Sequence, residues 1–384
     1  YGGATFCSWY PITPSTSVAE GFEKYASKYR VDPQTGKNNY ISVQAEDELA
    51  AVGMAIGANW NGARGFTATS GPGISLMSEF LGLAYFAEVP LVLFNIQRGG
   101  PSTGMPTRTQ QSDILSCAYA SHGDTKHVLL FPEDPQECFE FSAEAFNLAE
   151  RLQTPVFVIS DLDIGMNDWV TDKFEWDDEQ KYDRGKVLKA EDLDKMDNFG
   201  RYLDVDDDGI CYRTYPGTHP EKGAFFTRGT SHDEYARYTE NGDINEQTLT
   251  RLVKKFRTAS ELVPDPIINL SEKQGSSGVI FYGSTSAAMY EAKDILNENN
   301  IEVDLMRIRS FPFNLDVWEF IENHDLIYVI EQNRDSQMRT LIMAEGGISA
   351  EKLRSLVWFN GDPIQAKFIA KKIYERESQQ ALIT

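Results

Sequence analysis

Apolar and polar positions in the first half of the chain alternate between two rhythms. "YISVQ" (40–44), "GFTAT" (65–69), "PLVLFNI" (90–96) and "PVFVISD" (155–161) are short runs that predict strands, with "PLVLFNI" buried. Between them "AEDELAAVGMAIGAN", the run after "SGPG" and "ECFEFSAEAFNLAERL" have helical spacing. This βαβ rhythm predicts a parallel sheet covered on both faces. A stretch around 162–265 is acidic, weakly periodic and rich in prolines, glycines and aromatics, so it is expected to be a connection or embellishment. A second βα series starts near 276 with "GVIFYG", "SAAMYEAKDILNEN", "EVDLMRI", "VWEFIEN" and "LIYVIEQ", and closes on a helix near 363–376. The expected organisation is an α/β domain over 1–190, an acidic linker or insert over 191–270 and a second α/β domain over 271–384.

The stretch "YPITPSTSVAE" (10–20) concentrates prolines and hydroxyls just before a helix. Pro11 and Pro14 fix their own φ and push the preceding residues out of the helical region. Thr13 is therefore expected to be the N-cap, with Pro14 at the first helical position. The helix behind it is expected to bury Val18, Phe22, Tyr25 and Tyr29 on one stripe. Such a terminus offers unpaired backbone N–H groups beside a hydroxyl and suits a small anion, although it equally suits a plain capped helix.

Composition narrows the class. The 384 residues suffice for two or three domains, and 41% hydrophobic with 24% charged residues is globular. The apolar run around "VPLVLFNI" is far too short to span a membrane. A net charge of -22 argues against nucleic acid or an anionic membrane as partner. Cys7, Cys117, Cys138 and Cys211 are scattered, with neither zinc nor iron–sulfur spacing, and fit a reducing cytoplasm. The first residue is Tyr1 with no signal-peptide pattern before it, so the natural chain is expected to begin upstream.

Several stretches could carry chemistry. Glu46, Asp47 and Glu48 open a helix, where acids offset the dipole and one of them could handle a proton. Ala50, Ala51, Gly53, Ala55, Gly57 and Ala58 behind them leave a smooth surface for another backbone or a flat ligand. "QRGGPSTGMPTRTQQSD" (97–113) follows the buried strand directly, at the end of a parallel sheet where ligands sit. In it Arg98 could take a carboxylate in a two-pronged contact, with Ser102, Thr103, Thr107 and Thr109 around it. "SGPG" (70–73) has the form of a phosphate-binding turn but lacks a Walker lysine, and "YGSTS" (282–286) reads as a plain strand-to-helix turn. Asp204, Asp206, Asp208 and Gly209 match the first EF-hand positions, with Tyr215 where a bidentate Glu belongs. That loop is a candidate for a structural divalent ion or a plain acidic turn.

Taken together, "YPITPSTSVAEGF", "QAEDELAAVGMAIGA", "TATSGPGISLMSEFLGLAYFAEVPLV" and "QRGGPSTGMPTRTQQSD" resemble the α subunits of 2-oxoacid:ferredoxin oxidoreductases, in order and over nearly the whole chain. The resemblance implies a thiamine-diphosphate-binding, pyrimidine-type domain followed by a transketolase-C-terminal-like domain. The insert "YRTYPGTHPEKGAFFTRGTSHDEYARY" is similar to members acting on 2-oxoglutarate or a broad range of 2-oxoacids. The family cleaves a 2-oxoacid with coenzyme A on thiamine diphosphate and passes the electrons through iron–sulfur clusters to ferredoxin.

By this resemblance Glu48 faces the aminopyrimidine of the cofactor and favours the imino form, which takes up a proton. The Tyr10-Pro11-Ile12-Thr13 turn gathers the substrate carboxylate with Thr13 as hydroxyl donor, Arg98 pairs with the carboxylate or keto group, and Thr107 is a weaker counterpart. The G-D-G-type diphosphate motif and the cluster cysteines are missing, and the resemblance puts Mg2+ and a [4Fe-4S] cluster on a β subunit. It further implies a dimer of heterodimers. The alternatives are pyruvate, indolepyruvate or branched-chain substrates, a transketolase-like enzyme with no redox role, and a non-catalytic calcium-binding scaffold subunit.

Overall fold

The computed structural model describes residues 1–227, 229–271 and 277–381. Arg228 of the aromatic insert and residues 272–276 ahead of the second βα series lie outside the described residues. The chain runs β1 (Phe6–Trp9), α1 (Thr16–Tyr29), β2 (Ile41–Gln44), α2 (Glu48–Trp60), β3 (Gly65–Thr69), α3 (Gly71–Phe86) and β4 (Leu91–Gln97). It continues through α4 (Ile114–Ala118), β5 (Val128–Leu130), α5 (Pro135–Leu152), β6 (Pro155–Asp161), α6 (Leu162–Met166), α7 (Ala190–Asp194) and α8 (Gly242–Ser260). The remainder is β7 (Ile267–Asn269), β8 (Ser277–Tyr282), α9 (Thr285–Glu298), β9 (Asp304–Ile308), β10 (Ser310–Phe311) and α10 (Leu315–Glu322), then β11 (Leu326–Glu331), α11 (Gln337–Gly346), β12 (Leu353–Val357) and α12 (Ala366–Ala381).

These strands form a seven-stranded sheet in the order β10-β5-β6-β4-β3-β1-β2 and a five-stranded sheet in the order β12-β11-β8-β9-β7. In the first sheet only β10 runs antiparallel, with Phe311 opposite Leu129. The parallel register pairs Phe6 with both Ile41 and Gly65, and Phe66 with Val92. From β1 the chain moves outward to β2, then returns across β1 to β3 and β4. The strand order therefore reverses at β1, which opens a crevice at the carboxyl ends of β1 and β3.

Strand and helix formation follow the local pattern. Every residue of β3 and β6 is buried, as expected of central parallel strands. Ser70 is extended and Pro72 follows in the first turn, which starts α3 where β3 stops. One apolar core runs from Val52, Met77 and Leu81 through Leu91 and Phe157 to Ile280, Met306 and Val329, so side chains of both sheets share it. A buried leucine such as Leu81 is worth about 2–5 kcal/mol over alanine in such a core.

Three local expectations change. Helix α1 starts at Thr16, not Pro14, and Ser15 is its cap position without a side-chain cap bond. The hydroxyls of Ser15 and Thr16 both donate back to the Ile12 carbonyl at 3.2 Å, so Thr13 to Ser15 form a turn ahead of the helix. Its buried residues are Ala19 and Ala26, with Phe22 edge-on to Phe66, whereas Tyr25 and Tyr29 are 60% and 66% exposed and stack on each other. The tyrosines sit beyond the arc that the short β1–β2 edge can cover. The stretch around 162–265 also holds the 19-residue helix α8, whose Ala259 packs with Phe141 and Ile210 in the core beneath the first sheet.

Candidate active site

Because β4, β3, β1 and β2 are parallel neighbours, the four segments leaving their carboxyl ends lie side by side. These are the Arg98 loop, the "SGPG" turn, the "YPITP" turn and the acidic start of α2. The sheet thus collects three of the sequence candidates, Thr13, Glu48 and Arg98, at the crevice.

Glu48 is the first residue of α2. Asp47 caps the helix by accepting from the Ala50 N–H at 2.6 Å, which leaves Glu48 free to turn inward. It is 6% exposed, and none of the described residues hydrogen-bonds or ion-pairs its carboxylate. Its stem lies against the first turn of α3: a Cβ on Gly73 would stand 2.9 Å from Glu48 Cγ and collide with Thr69 Oγ1. Gly73 therefore lets the Glu48 side chain pass close to the "SGPG" backbone. Glu46 is exposed, so of the three acids Glu48 is the one turned into the protein. The small residues behind it serve packing: Ser8 donates to the Ala51 carbonyl at 2.6 Å, Phe80 covers Gly53, and Gly57 faces open space.

Arg98 leaves β4 and is 8% exposed. Its Nη1 donates to the Thr13 carbonyl at 2.7 Å and its Nη2 to the Thr103 carbonyl at 3.3 Å, while Nε is buried without a partner. The guanidinium thus ties the "YPITP" turn to the glycine-rich loop and keeps its Nε–H in reserve. Tyr10 and Ile12 are half-buried, Pro11 and Thr13 exposed. The Ile12 N–H is taken by Thr16 Oγ1 at 2.9 Å, so that donor does not serve an anion. Thr107 sits exposed in the outer part of the loop, and no hydrogen bond joins it to Arg98 or Thr13.

The structure adds residues that the sequence pattern did not single out. Asp113 ends the loop; its N–H donates to Gln97 Oε1 at 3.0 Å and its carboxylate accepts from Asn95 Nδ2 at 3.1 Å. A Cβ on Gly71 would meet that carboxylate at 2.9 Å, so Asp113 flanks the start of α3 as Glu48 does. Burial pushes its pKa up to about 6, against the pull of Asn95 and the Arg98 charge. Ser70 Oγ and Asn95 Oδ1 beside it are buried and unpartnered. An asparagine in the middle of the apolar run "PLVLFNI" was the available signal.

The same loop is clasped from the second sheet. Gln111 Nε2 lies 3.3 Å from Asp161 Oδ2 and 3.3 Å from the Tyr282 carbonyl, and Ser284 donates to Asp161 at 2.6 Å. Gln332 Nε2 completes the clasp by donating to Ser284 Oγ at 2.9 Å. The "YGSTS" turn is therefore a buried interlock and more than a plain turn.

The Asp204 loop is a correction. Asp204 accepts from the N–H groups of Asp208 and Gly209 at 3.2 and 3.0 Å, and Lys186 Nζ lies 2.7 Å from Asp206 and 2.9 Å from Asp208. Lys254 pairs with Asp204 and Asp207. The carboxylates are spent on ammonium groups, and among the described residues no group of three or more His, Cys, Asp or Glu is arranged for a metal ion.

An inward carboxyl without a protein partner, beside a glycine-thinned helix start, suits a hydrogen bond to the ring of thiamine diphosphate, so the residues present fit that group. The comparisons agree. Residues 1–258 match the family described as "Pyruvate flavodoxin/ferredoxin oxidoreductase, thiamine diP-bdg". Over 94% of its length the chain is 35% identical to "2-oxoacid:ferredoxin oxidoreductase 1, subunit alpha" of Sulfurisphaera tokodaii, of which it spans 57%. It is 36% identical to "2-oxoglutarate synthase subunit KorA" of Methanocaldococcus jannaschii over 82% of this chain and 80% of the relative. The solved 2-oxoglutarate:ferredoxin oxidoreductase of Magnetococcus marinus, with 2-oxoglutarate, coenzyme A and succinyl-CoA bound, is similar with a TM-score of 0.86 and 29% identity, over 97% of this chain and 62% of that one. The chain thus spans between 56% and 60% of the length of the first curated relatives it matches. By sequence and by fold, this chain belongs to the thiamine-diphosphate-binding family of pyruvate flavodoxin/ferredoxin oxidoreductases.

Proposed function

We propose that this chain is the α subunit of a 2-oxoglutarate:ferredoxin oxidoreductase, which converts 2-oxoglutarate and coenzyme A to succinyl-CoA and carbon dioxide and passes the electron pair to ferredoxin. The observation that carries the reading is the buried carboxyl of Glu48, without a partner among the described residues, at the start of α2, whose strand neighbours the one that leads to the Thr13 turn held by Arg98. Similarity to the 2-oxoglutarate synthase subunit over four-fifths of that relative supports the substrate.

The chemistry that thiamine diphosphate supplies when bound is a stabilised carbanion and an electron sink for decarboxylation. Glu48 would hold the aminopyrimidine ring by a hydrogen bond and set its protonation. Arg98 would offer its spare Nε–H to the substrate carboxylate, and the exposed Thr13 hydroxyl would donate beside it. Tyr10, Pro11 and Ile12 shape the turn that presents Thr13, and Thr107 is kept as an outer contact to substrate. The metal role of Asp204, Asp206 and Asp208 is not retained.

A β subunit would complete the site and carry the diphosphate-binding Mg2+ and the [4Fe-4S] cluster, in a dimer of heterodimers that reduces ferredoxin. Residues 1–190, 191–270 and 271–384 would be the pyrimidine-type domain, the insert and the transketolase-C-terminal-like domain, in a cytoplasmic complex. Among the described residues no helix is long and apolar enough to cross a membrane.

The test is viologen reduction by the chain purified with its native partners, comparing 2-oxoglutarate with pyruvate, each with and without coenzyme A. Reduction that needs coenzyme A and prefers 2-oxoglutarate is the expected result. Preference for pyruvate or a branched-chain 2-oxoacid would overturn the substrate. Absence of reduction from a complex loaded with iron and thiamine diphosphate would overturn the redox reading.

A further inference from the structure

In a chain of net charge -22, a buried cluster behind the first sheet carries an excess of positive charge. Glu88, fully buried at the turn into β4, is held by Arg251 at 2.6 Å and Lys255 at 2.8 Å. Burial alone would raise the Glu88 carboxyl, but these two cations hold it well below the usual carboxylate range. Glu150 is likewise held by Arg213 and by Arg184 at 3.3 Å. Arg201 is 3% exposed and has no carboxylate of its own; its Nη2 donates to the Glu88 carbonyl at 2.9 Å. Among the described residues, the carboxylates in ion-pair contact with Arg184, Arg213, Arg251 and Lys255 are Glu88 and Glu150, with Asp204 acting on Arg251 from further away. Burial pulls the Arg213 and Lys255 pKa values below their ordinary range, against the pull of their partner carboxylates.

Two of these cations, Arg201 and Arg213, line a small cleft of about 20 Å³ together with Trp60, Glu88 and Phe225. Arg201 Nε and Nη1 and Arg213 Nε are buried there, and none has a partner among the described residues. The Arg201 guanidinium lies between the rings of Tyr202, at 4.8 Å, and Phe225, at 5.5 Å, which fixes its plane. Buried guanidinium nitrogens without an acceptor are costly in such a setting. The volume holds one atom the size of a water or a halide, and the uncompensated charge selects the anion. The nearby side-chain acceptors are already used, since Asn59 Oδ1 accepts from the Gly65 N–H and Tyr215 Oη takes Arg184.

We propose that this cleft is a binding site for one small monovalent anion of the halide class, held by Nε and Nη1 of Arg201 and Nε of Arg213. It sits at the end of β4 opposite Arg98, so the ion is structural and pins the 201–225 segment to the sheet. It does not touch substrate, and the inference is independent of the proposed reaction.

The test uses the chain with its co-purified partners, melted in increasing bromide against gluconate at constant ionic strength. Crystals grown in bromide are measured at its absorption edge in parallel. A saturable, bromide-specific rise in Tm of about 2 °C or more is expected. An anomalous peak beside Arg201 is expected with it, and both should be lost in Arg201→Gln. Equal melting in both salts without a peak would overturn the site. So would a peak without a Tm effect, which would mean an adventitious ion only, or a peak that survives Arg201→Gln. If the variant does not fold, the wild-type melt and the wild-type peak decide.

Discussion

Arg98 Nη1 and the Thr13 carbonyl, 85 residues apart in the chain, are joined by a 2.7 Å hydrogen bond across the carboxyl ends of β4 and β1. The bond uses the backbone carbonyl of Thr13 and not its side chain, and Thr13 is exposed. The contributions of the two residues can therefore be separated by mutation.

That separation predicts different kinetics for the two variants. Arg98→Ala removes the charge and releases the turn, so KM for the 2-oxoacid should rise by about 10- to 100-fold. Thr13→Val keeps the carbonyl and removes only the hydroxyl, and its KM should rise by about tenfold or less. Steady-state kinetics on the assembled enzyme checks both. A Thr13→Val effect as large as that of Arg98→Ala would mean the hydroxyl carries the binding.

Glu48 has no protein partner among the described residues, so its substitution is expected to cost function without costing the fold. Glu48→Gln should lower kcat by roughly 100-fold or more while the melting temperature stays within about 1 °C. Gly73→Ala should fail on both counts. Its Cβ would collide with Thr69 Oγ1 and press on Glu48 Cγ at 2.9 Å, destabilising by about 1–3 kcal/mol and displacing the carboxyl. Melting curves with kcat for both variants test this. Normal turnover in Glu48→Gln would remove Glu48 from the chemistry.

The lysines that pair with the Asp204 loop make a prediction about metals. Lys186 and Lys254 already pair with the carboxylates, so neither chelator nor added calcium should move the melting temperature by more than about 0.5 °C. Lys186→Met should cost only about 0.5–1 kcal/mol, because Asp206 is largely open to solvent. A calcium-dependent rise in the wild type would reinstate the ion.

Much of this was legible because local pattern and fold agree. Strand "PVFVISD" is buried throughout and "PLVLFNI" at all but Ile96, and a βαβ chain delivers its loops to one edge of the sheet. Arg98 and Glu48 could be placed at that edge from spacing and resemblance. The start of α1 could not, because whether Thr13 or Ser15 stands at the cap depends on hydroxyls bonding back to Ile12, and both readings satisfy the proline rules. Helix α8 was hidden by its charges: Lys255 and Arg251 read as surface residues until the buried Glu88, far away in sequence, gives them a partner. The lysines that disarm the Asp204 loop lie 22 and 50 residues from their partners, and a motif confined to the loop does not include them.

Asp113 should leave a mark on stability as a function of pH. Burial raises its folded pKa to about 6, above the ordinary aspartate value of about 3.9. The folded state therefore holds a proton that the unfolded chain has released between those two values. The stabilisation from this group is fully present below about pH 4 and is lost as pH rises through about 6, a change of about 3 kcal/mol. Asp161 and Asp163 are also shifted upward by burial, so the wild-type curve alone mixes several groups. Asp113→Asn isolates one of them, since the amide keeps the shape and does not titrate. Denaturant unfolding of both proteins from pH 4 to 7 should show the wild type losing stability relative to the variant as pH rises. Parallel curves would mean that Asp113 is ionised throughout, held by Asn95 and Arg98 more strongly than burial opposes.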